Sequence, residues 1–220
     1  MSMSAIATNG PCSRRRWITC GVILNAIIVS VPLAVTGFHT VTELPVLLLL
    51  LGSSAFCAME LNQTVLHPEH LLRHDRYQLA AVIGALLLLF VQWAAIVEFG
   101  SREHVGHGVW VVSGCVLIAV GAWIRSSAIR QLAAGFRSSP ETSHLVTSGI
   151  YASLRHPSET GLLLAMIGFT LLLSATWTTV VFLPAAYVVA VWRVRLEETE
   201  LRKTFGADYE AYAARTNRGL

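Results

Sequence analysis

Hydrophobic positions along this chain fall into long blocks, not into the alternating or three-to-four-residue rhythms of half-buried strands and helices. The first block covers 17–38 and is interrupted by Asn25 and a few small hydroxyl residues. The second covers 44–61, with Pro45 near its start, where a helix tolerates it. The third covers 77–99 and the fourth 108–124. About 20 mainly apolar residues carry a helix across a hydrocarbon core of about 30 Å, so each block predicts one crossing. The fifth block, 161–192, is too long for that, since as a single helix it would reach roughly 48 Å. Its middle, Ser174 to Thr179, is polar and aromatic like a membrane interface and predicts a turn. A helical hairpin follows, whose first arm is short enough that dipping part-way into the bilayer is an alternative to a full crossing. The expected fold is all-α: a polytopic membrane helical bundle of four spans plus a C-terminal transmembrane hairpin. The expected division is a flexible basic tail over 1–16, four spans over 17–124, and a C-terminal region over 125–220 that ends in a cytoplasmic helix.

Basic residues orient this bundle. With the N-terminus inside and every block crossing, all 16 Lys and Arg except Arg102 fall on inner segments, a strong positive-inside bias. Keeping Arg155 and Arg193 on one side requires an even number of crossings between them, which supports the hairpin independently. Both termini are then cytoplasmic. Arg14, Arg15 and Arg16 ahead of an apolar run resemble a signal peptide, but the run is longer than an h-region and shows no small-residue cleavage site.

Composition agrees. Apolar residues make up 54% of the 220 and charged residues 13%, against about 45–50% and about 25% in soluble domains. This excludes a soluble globular enzyme and a disordered chain. The net charge of +3 is too small a bias to point to nucleic acid. Cys12, Cys20, Cys57 and Cys115 show no paired spacing, so neither a disulfide nor a zinc site is expected.

Polar residues concentrate in two segments flanking the hairpin. The first runs from Ser143 and His144 through Leu145, Val146, Thr147, Ser148, Gly149, Ile150 and Tyr151 to Arg155-His156-Pro157-Ser158-Glu159-Thr160-Gly161. It reads as a loop feeding a helix that starts near Pro157, whose first turn suits an anion such as a carboxylate. The second is Arg193-Val194-Arg195-Leu196-Glu197-Glu198, followed by Phe205-Gly206-x-x-Tyr209-x-x-Tyr212. A hairpin that returns to its starting side brings Arg155 and His156 to Glu197 and Glu198 at one membrane surface.

In this order, the two segments resemble the C-terminal signature of the isoprenylcysteine carboxyl methyltransferases, part of a wider group of membrane methyltransferases that includes phospholipid N-methyltransferases. The resemblance covers about residue 125 onward. It implies S-adenosylmethionine as methyl donor at the cytoplasmic face and a lipophilic or membrane-embedded methyl acceptor entering from the lipid bilayer. Carried onto matching positions, it implies a cofactor pocket of His144, Leu145, Val146, Gly149, Tyr151, Arg155, His156, Pro157, Glu197 and Glu198. Arg193 would orient an acceptor carboxylate. The family usually reads Arg-His-Pro-x-Tyr-x-Gly, and here Glu159 stands where the tyrosine belongs. That carboxylate would favour a cationic or protonatable acceptor, and Glu159 or His156 would serve as base for an amine or hydroxyl. A carboxylate or thiolate acceptor needs no base. Prenylcysteine carboxylate, a lipid or amine headgroup, and a small thiol therefore all stay open as acceptors.

Each residue also has a plain structural reading. Glu197 and Glu198 could be a solvated face paired to Arg193 and Arg202, Glu159 a first-turn dipole partner, and Arg155, His156 and Tyr151 interface anchors. Asn25 and Gln92 read as interhelical hydrogen-bond partners, and Glu98 as an outer-interface residue without function. His67, His70 and His74 count like a metal cluster, but Pro68 interrupts their helical spacing, and no metal is expected. The alternative to an enzyme is a non-catalytic or transport protein on the same scaffold. It is disfavoured because charged residues are absent from the middles of the blocks and no paired halves appear.

Overall fold

The computed structural model describes residues 11–37, 40, 42–66, 75–101, 108–138 and 145–219. Residues 1–10, His67, His70, His74, Arg102 and His144 lie outside them. In chain order the elements are α1 (Pro11–Ser30), α2 (Leu33–Thr36), α3 (Leu44–Leu66), α4 (Asp75–Gly100), α5 (Gly108–Ser138), a 3-10 turn (Gly149–Ala152), α6 (Pro157–Leu172), α7 (Thr176–Phe205) and α8 (Ala207–Arg215). Among the described residues five stretches are long and apolar enough to cross a membrane: Arg15–Thr36, Leu44–Asn62, Val82–Gly100, Gly108–Leu132 and Thr176–Phe205. With 16 residues, α6 is shorter, about 24 Å. The hairpin is therefore a short arm and a long one, joined over Leu173–Ala175, with Ser174 at φ 53°.

The first block departs from the single helix expected over 17–38. It begins earlier, at Pro11, and α1 ends at Ser30, two residues before Pro32. Proline has no N–H to give the carbonyl four residues back, which here belongs to Ile28. Trp93 Nε1 of α4 donates to that carbonyl at 2.9 Å, so the break is satisfied from a neighbouring helix. The fourth block departs in the other direction. Its apolar run stops near Ile124, but α5 continues to Ser138, because helix formers carry the backbone on beyond the apolar stretch. That extension carries the site loop: Ile150 N–H donates to Gln131 Oε1 at 3.0 Å.

Packing fixes the two ends of the bundle. At one end Thr36 lies against Gly100, and Glu98 accepts from the N–H groups of Trp177 (3.0 Å) and Thr178 (2.7 Å) and from the Thr178 hydroxyl (2.8 Å). Glu98 thus caps α7 from α4, correcting the reading of it as a residue without function. At the other end Arg125 of α5 donates to both carboxylate oxygens of Glu60 on α3 and, through Nη1, to Ser158 Oγ at 2.9 Å. Between the ends, Val29, Leu49, Phe56, Ile96 and Phe169 form one core, with Phe56 and Phe169 edge to face at 6.4 Å. Val35, Leu51, Val109 and Val188 point outward, as lipid-facing side chains do.

The tightest pairing is α5 with α6. Gly114 and Gly121 are seven residues apart, as are Gly161 and Gly168, which puts each pair on one helix face. A Cβ at Gly121 would lie 2.5 Å from the Gly161 carbonyl, and one at Gly168 2.8 Å from the Gly114 carbonyl. The two backbones touch, as small-residue helix pairs in membranes do.

Candidate functional site

The antiparallel course of α6 and α7 brings the two polar segments together. Pro157 takes the first helical position of α6, where its missing N–H costs nothing. Arg155 and His156 therefore end the incoming loop directly at the helix mouth. Arg155 Nη1 donates to Glu198 Oε1 at 3.0 Å. His156 is 1% exposed and lies between two carboxylates, with Nδ1 3.2 Å from Glu197 Oε2 and Nε2 3.4 Å from Glu198 Oε1. Glu198 is a buried hub, reached also by Arg218 Nη2 at 2.8 Å and by Arg202 at 3.8 Å. Glu197 is 40% exposed, so it is the carboxylate of the pair that a ligand can reach.

The remaining residues expected in the cofactor pocket fall around this hub at different depths. Tyr151 and Glu197 lie close enough that the carboxylate adds to burial in raising the phenol's pKa. The Tyr212 hydroxyl, pushed up to about 12 by burial and by Tyr209 beside it, stays protonated and donates to the Tyr151 carbonyl at 2.8 Å. Gly149 sits at φ 61°, and a Cβ there would collide with Gln131, so the glycine is needed for the loop to rest on α5. Leu145 is set apart, lining a hollow of about 370 Å³ with Phe205, Asp208 and Tyr212. Arg155, Thr216, Asn217 and Arg218 line a second hollow, about 550 Å³ and open to solvent. The first volume falls within the roughly 300–1,000 Å³ of small-molecule sites, while the second is a shallow depression on the surface. Val146 is partly buried and Pro157 buried.

Three buried polar atoms have no hydrogen-bond partner among the described residues: Arg155 Nε, His156 Nε2 and the Tyr209 hydroxyl. Arg155 and His156 contact Glu198, and the Glu198 charge also reaches Tyr209. Unpartnered buried polar groups are costly, and here each lies against a neighbour in the cluster, Arg155 beside the Tyr209 hydroxyl and His156 Nε2 3.4 Å from Glu198 Oε1. Among the described residues no group of three or more His, Cys, Asp or Glu side chains is placed to hold a metal ion.

The two residues expected at the acceptor pair with each other. Arg193 Nη2 lies 3.0 Å from Glu159 Oε1, with side chains 22% and 7% exposed. The pair borders a narrow cleft of about 10 Å³, room for about one water, between α4, α6 and α7, lined also by Gly84, Leu87, Leu162, Met166, Ala186 and Val189. Glu159 is thus an ion-pair partner and not only a first-turn dipole partner, and Arg193 is held from α6. Arg193 and Glu197 lie one turn apart on α7, which places the crevice mouth beside the ionic hub.

Sequence reasoning missed Arg218, Gln131 and the Glu60–Arg125–Ser158 clamp. Arg218 is held by backbone pairing, in which Arg155 N–H donates to the Asn217 carbonyl at 2.8 Å and Asn217 N–H to the Ser153 carbonyl at 3.0 Å. No periodicity announces such a contact.

Residues 109–208 match the phospholipid methyltransferase family. A probable protein-S-isoprenylcysteine O-methyltransferase of Oryza sativa subsp. indica is 30% identical over 154 residues, covering 63% of this chain and 81% of the rice protein. Protein-S-isoprenylcysteine O-methyltransferase B of Arabidopsis thaliana is 29% identical over 200 residues, covering 84% of this chain and 94% of that protein. The Schizosaccharomyces pombe protein-S-isoprenylcysteine O-methyltransferase is 32% identical over 117 residues, about half of each chain.

Proposed function

Because the chain belongs to the protein-S-isoprenylcysteine O-methyltransferase family, and so is a membrane methyltransferase, we propose that it methylates the carboxylate of a lipophilic acceptor with S-adenosylmethionine. The reaction takes place at the end of the bundle where the hairpin returns. The observation that carries this reading is the meeting of Arg155 and His156 with Glu197 and Glu198, one helical turn from the Arg193–Glu159 crevice.

The cationic Arg155 beside an accessible Glu197 fits a donor that carries a carboxylate, an ammonium and hydroxyls. We assign the donor pocket to His144, Leu145, Val146, Gly149, Tyr151, Arg155, His156, Pro157, Glu197 and Glu198. When bound, the donor supplies a methyl group already activated by its sulfonium. The protein's work is then to align and to keep water out. Arg193, held by Glu159 at 3.0 Å, orients the acceptor carboxylate. A carboxylate acceptor is already the nucleophile, so no residue need act as base. The 15 basic residues on one set of segments, against Arg102 on the other, support a cytoplasmic position for this end and both chain termini. In this arrangement 17–124 anchors the bundle and 125–220 performs transfer.

Saturable binding of labelled S-adenosylmethionine to the purified full chain tests the reading. Glu197→Ala should weaken it about tenfold or more while leaving thermal unfolding nearly unchanged, because Glu197 is on the accessible side of the hub. Absence of saturable binding by the unaltered protein would reject the proposal.

A further inference from the structure

Residues 216–219 leave α8 and lie as a strap across the loop that feeds α6. Asn217 is paired on both sides: its carbonyl accepts from Arg155 N–H at 2.8 Å, and its N–H donates to the Ser153 carbonyl at 3.0 Å. Two residues on, the Gly219 carbonyl accepts from Thr160 Oγ1 of α6 at 3.2 Å. Gly219 has φ 85°, and a Cβ there would lie 2.8 Å from that hydroxyl oxygen, so the glycine lets the strap rest on α6. Between these two fastenings stands Arg218, whose guanidinium spans Glu198. Its Nε lies 3.2 Å from Oε1 and its Nη2 2.8 Å from Oε2.

What this fork does follows from the other contacts of Glu198. The carboxylate is 2% exposed, and a buried charge needs compensation. Arg155 and His156 both address Oε1, at 3.0 and 3.4 Å. Among the described residues Oε2 is otherwise reached by Arg202 at 3.8 Å, a side chain already held by Glu210 at 2.9 Å. Arg218 is thus the contact that fixes both oxygens and with them the plane of the carboxylate. A strap that plugged the site would cover the carboxylate a ligand can reach. Arg218 takes the buried one instead, and Glu197 stays 40% exposed.

Resting on the donor-site reading above, we propose that Arg218 is a positioning residue for the methyl donor: it holds Glu198 so that Arg155 and His156 keep the places from which they meet the donor. Arg218 touches Glu198 and not the donor. Within the pocket Glu198 works from beneath and Glu197 at the face. A lysine at 218 would bring the charge without the fork, and would fix one oxygen only.

Binding of labelled S-adenosylmethionine to the full chain in lipid nanodiscs, alongside methylation of N-acetyl-S-farnesyl-L-cysteine, tests this. Arg218→Ala should raise donor Kd about tenfold or more, with the acceptor KM within about twofold of the parent. Arg218→Lys should recover only part of that loss, and it carries the test alone if the alanine variant does not fold. Gly219→Val, which lifts the strap with Arg218 intact, should raise donor Kd in the same direction. Combined with Glu198→Gln, Arg218→Ala should lose no more donor affinity than Glu198→Gln alone. An unchanged donor Kd in Arg218→Ala, full affinity in Arg218→Lys, a parallel rise in acceptor KM, or additive losses in the double variant would each overturn this proposal while leaving methyl transfer standing. Absence of saturable donor binding by the unaltered protein would bring down the donor-site reading and this proposal with it.

Discussion

The two halves of the bundle solve one problem in opposite ways. Lipid gives helices no hydrophobic reason to associate, so packing and hydrogen bonds must hold them together. Between α1, α3 and α4 the devices are side chains. Asn25 Nδ2 donates to Ser53 Oγ at 3.2 Å, Ser53 donates to Gln92 Oε1 at 3.1 Å, and Trp93 reaches the Ile28 carbonyl. Between α5 and α6 the backbones themselves touch through glycines. Side-chain contacts allow helices to shift and readjust, whereas backbone contact does not. The rigid pairing sits under the site loop and the mobile-tolerant one away from it. The two acidic residues that leave the first half, Glu60 and Glu98, both reach into the second. The first half therefore braces the second.

The largest effect should come from breaking the rigid pairing. At Gly121 any side chain meets the Gly161 carbonyl and the Ala165 N–H, at 2.5 and 2.7 Å from its first carbon. Gly121→Leu is expected to cost more than about 3 kcal/mol and to yield little monodisperse protein in detergent. Gly108→Ala, where a Cβ meets nothing within 4 Å, should fall within about 0.5 kcal/mol of the parent. Equal tolerance at both positions, judged by thermal unfolding, would show that the α5–α6 contact is not the rigid element.

The brace should come next. Arg125 is 13% exposed and Glu60 30%, so removing the acid strands a largely buried cation. Glu60→Ala should destabilise by about 2–3 kcal/mol and also weaken donor binding, because Arg125 holds Ser158, two residues past His156. The double variant Glu60→Leu with Arg125→Met should lose less than the sum of the single changes. Additive losses in a thermal-unfolding cycle would show that the pair is not coupled.

Much of this arrangement is legible in the sequence, and the part that is not has a physical reason. Apolar blocks locate helices because crossing length is set by the bilayer, and the Ser174–Thr179 interruption locates the hairpin turn. The meeting of Arg155 and His156 with Glu197 and Glu198 follows from that turn alone. Helix ends are less legible: α5 runs past Ile124 because hydropathy marks where lipid ends, not where hydrogen bonding ends, and α1 stops early because Pro32 removes a donor inside an apolar run. Partners across the bundle are not legible at all. Glu60 with Arg125, Glu98 with the start of α7, and Arg218 with Glu198 are each separated by tertiary geometry that no local spacing encodes. The Glu159–Arg193 pair lies between the two cases, since both residues stand out individually and only the fold brings them within 3.0 Å.

The smallest effect should come from the adaptable half. Ser53 is buried and links Asn25 to Gln92, itself 2% exposed. Ser53→Ala removes both hydrogen bonds and leaves the Gln92 carbonyl without its donor. Hydrogen bonds between membrane helices contribute only about 0.6 kcal/mol each on average, because the separated helices find other partners, so a loss near 1 kcal/mol is expected. Methyl transfer should be unchanged, since this trio braces helices that carry neither polar segment of the site. A fall in kcat with stability intact would show that α1, α3 and α4 do more than brace the hairpin, and the division between a supporting half and a reacting half would have to be redrawn.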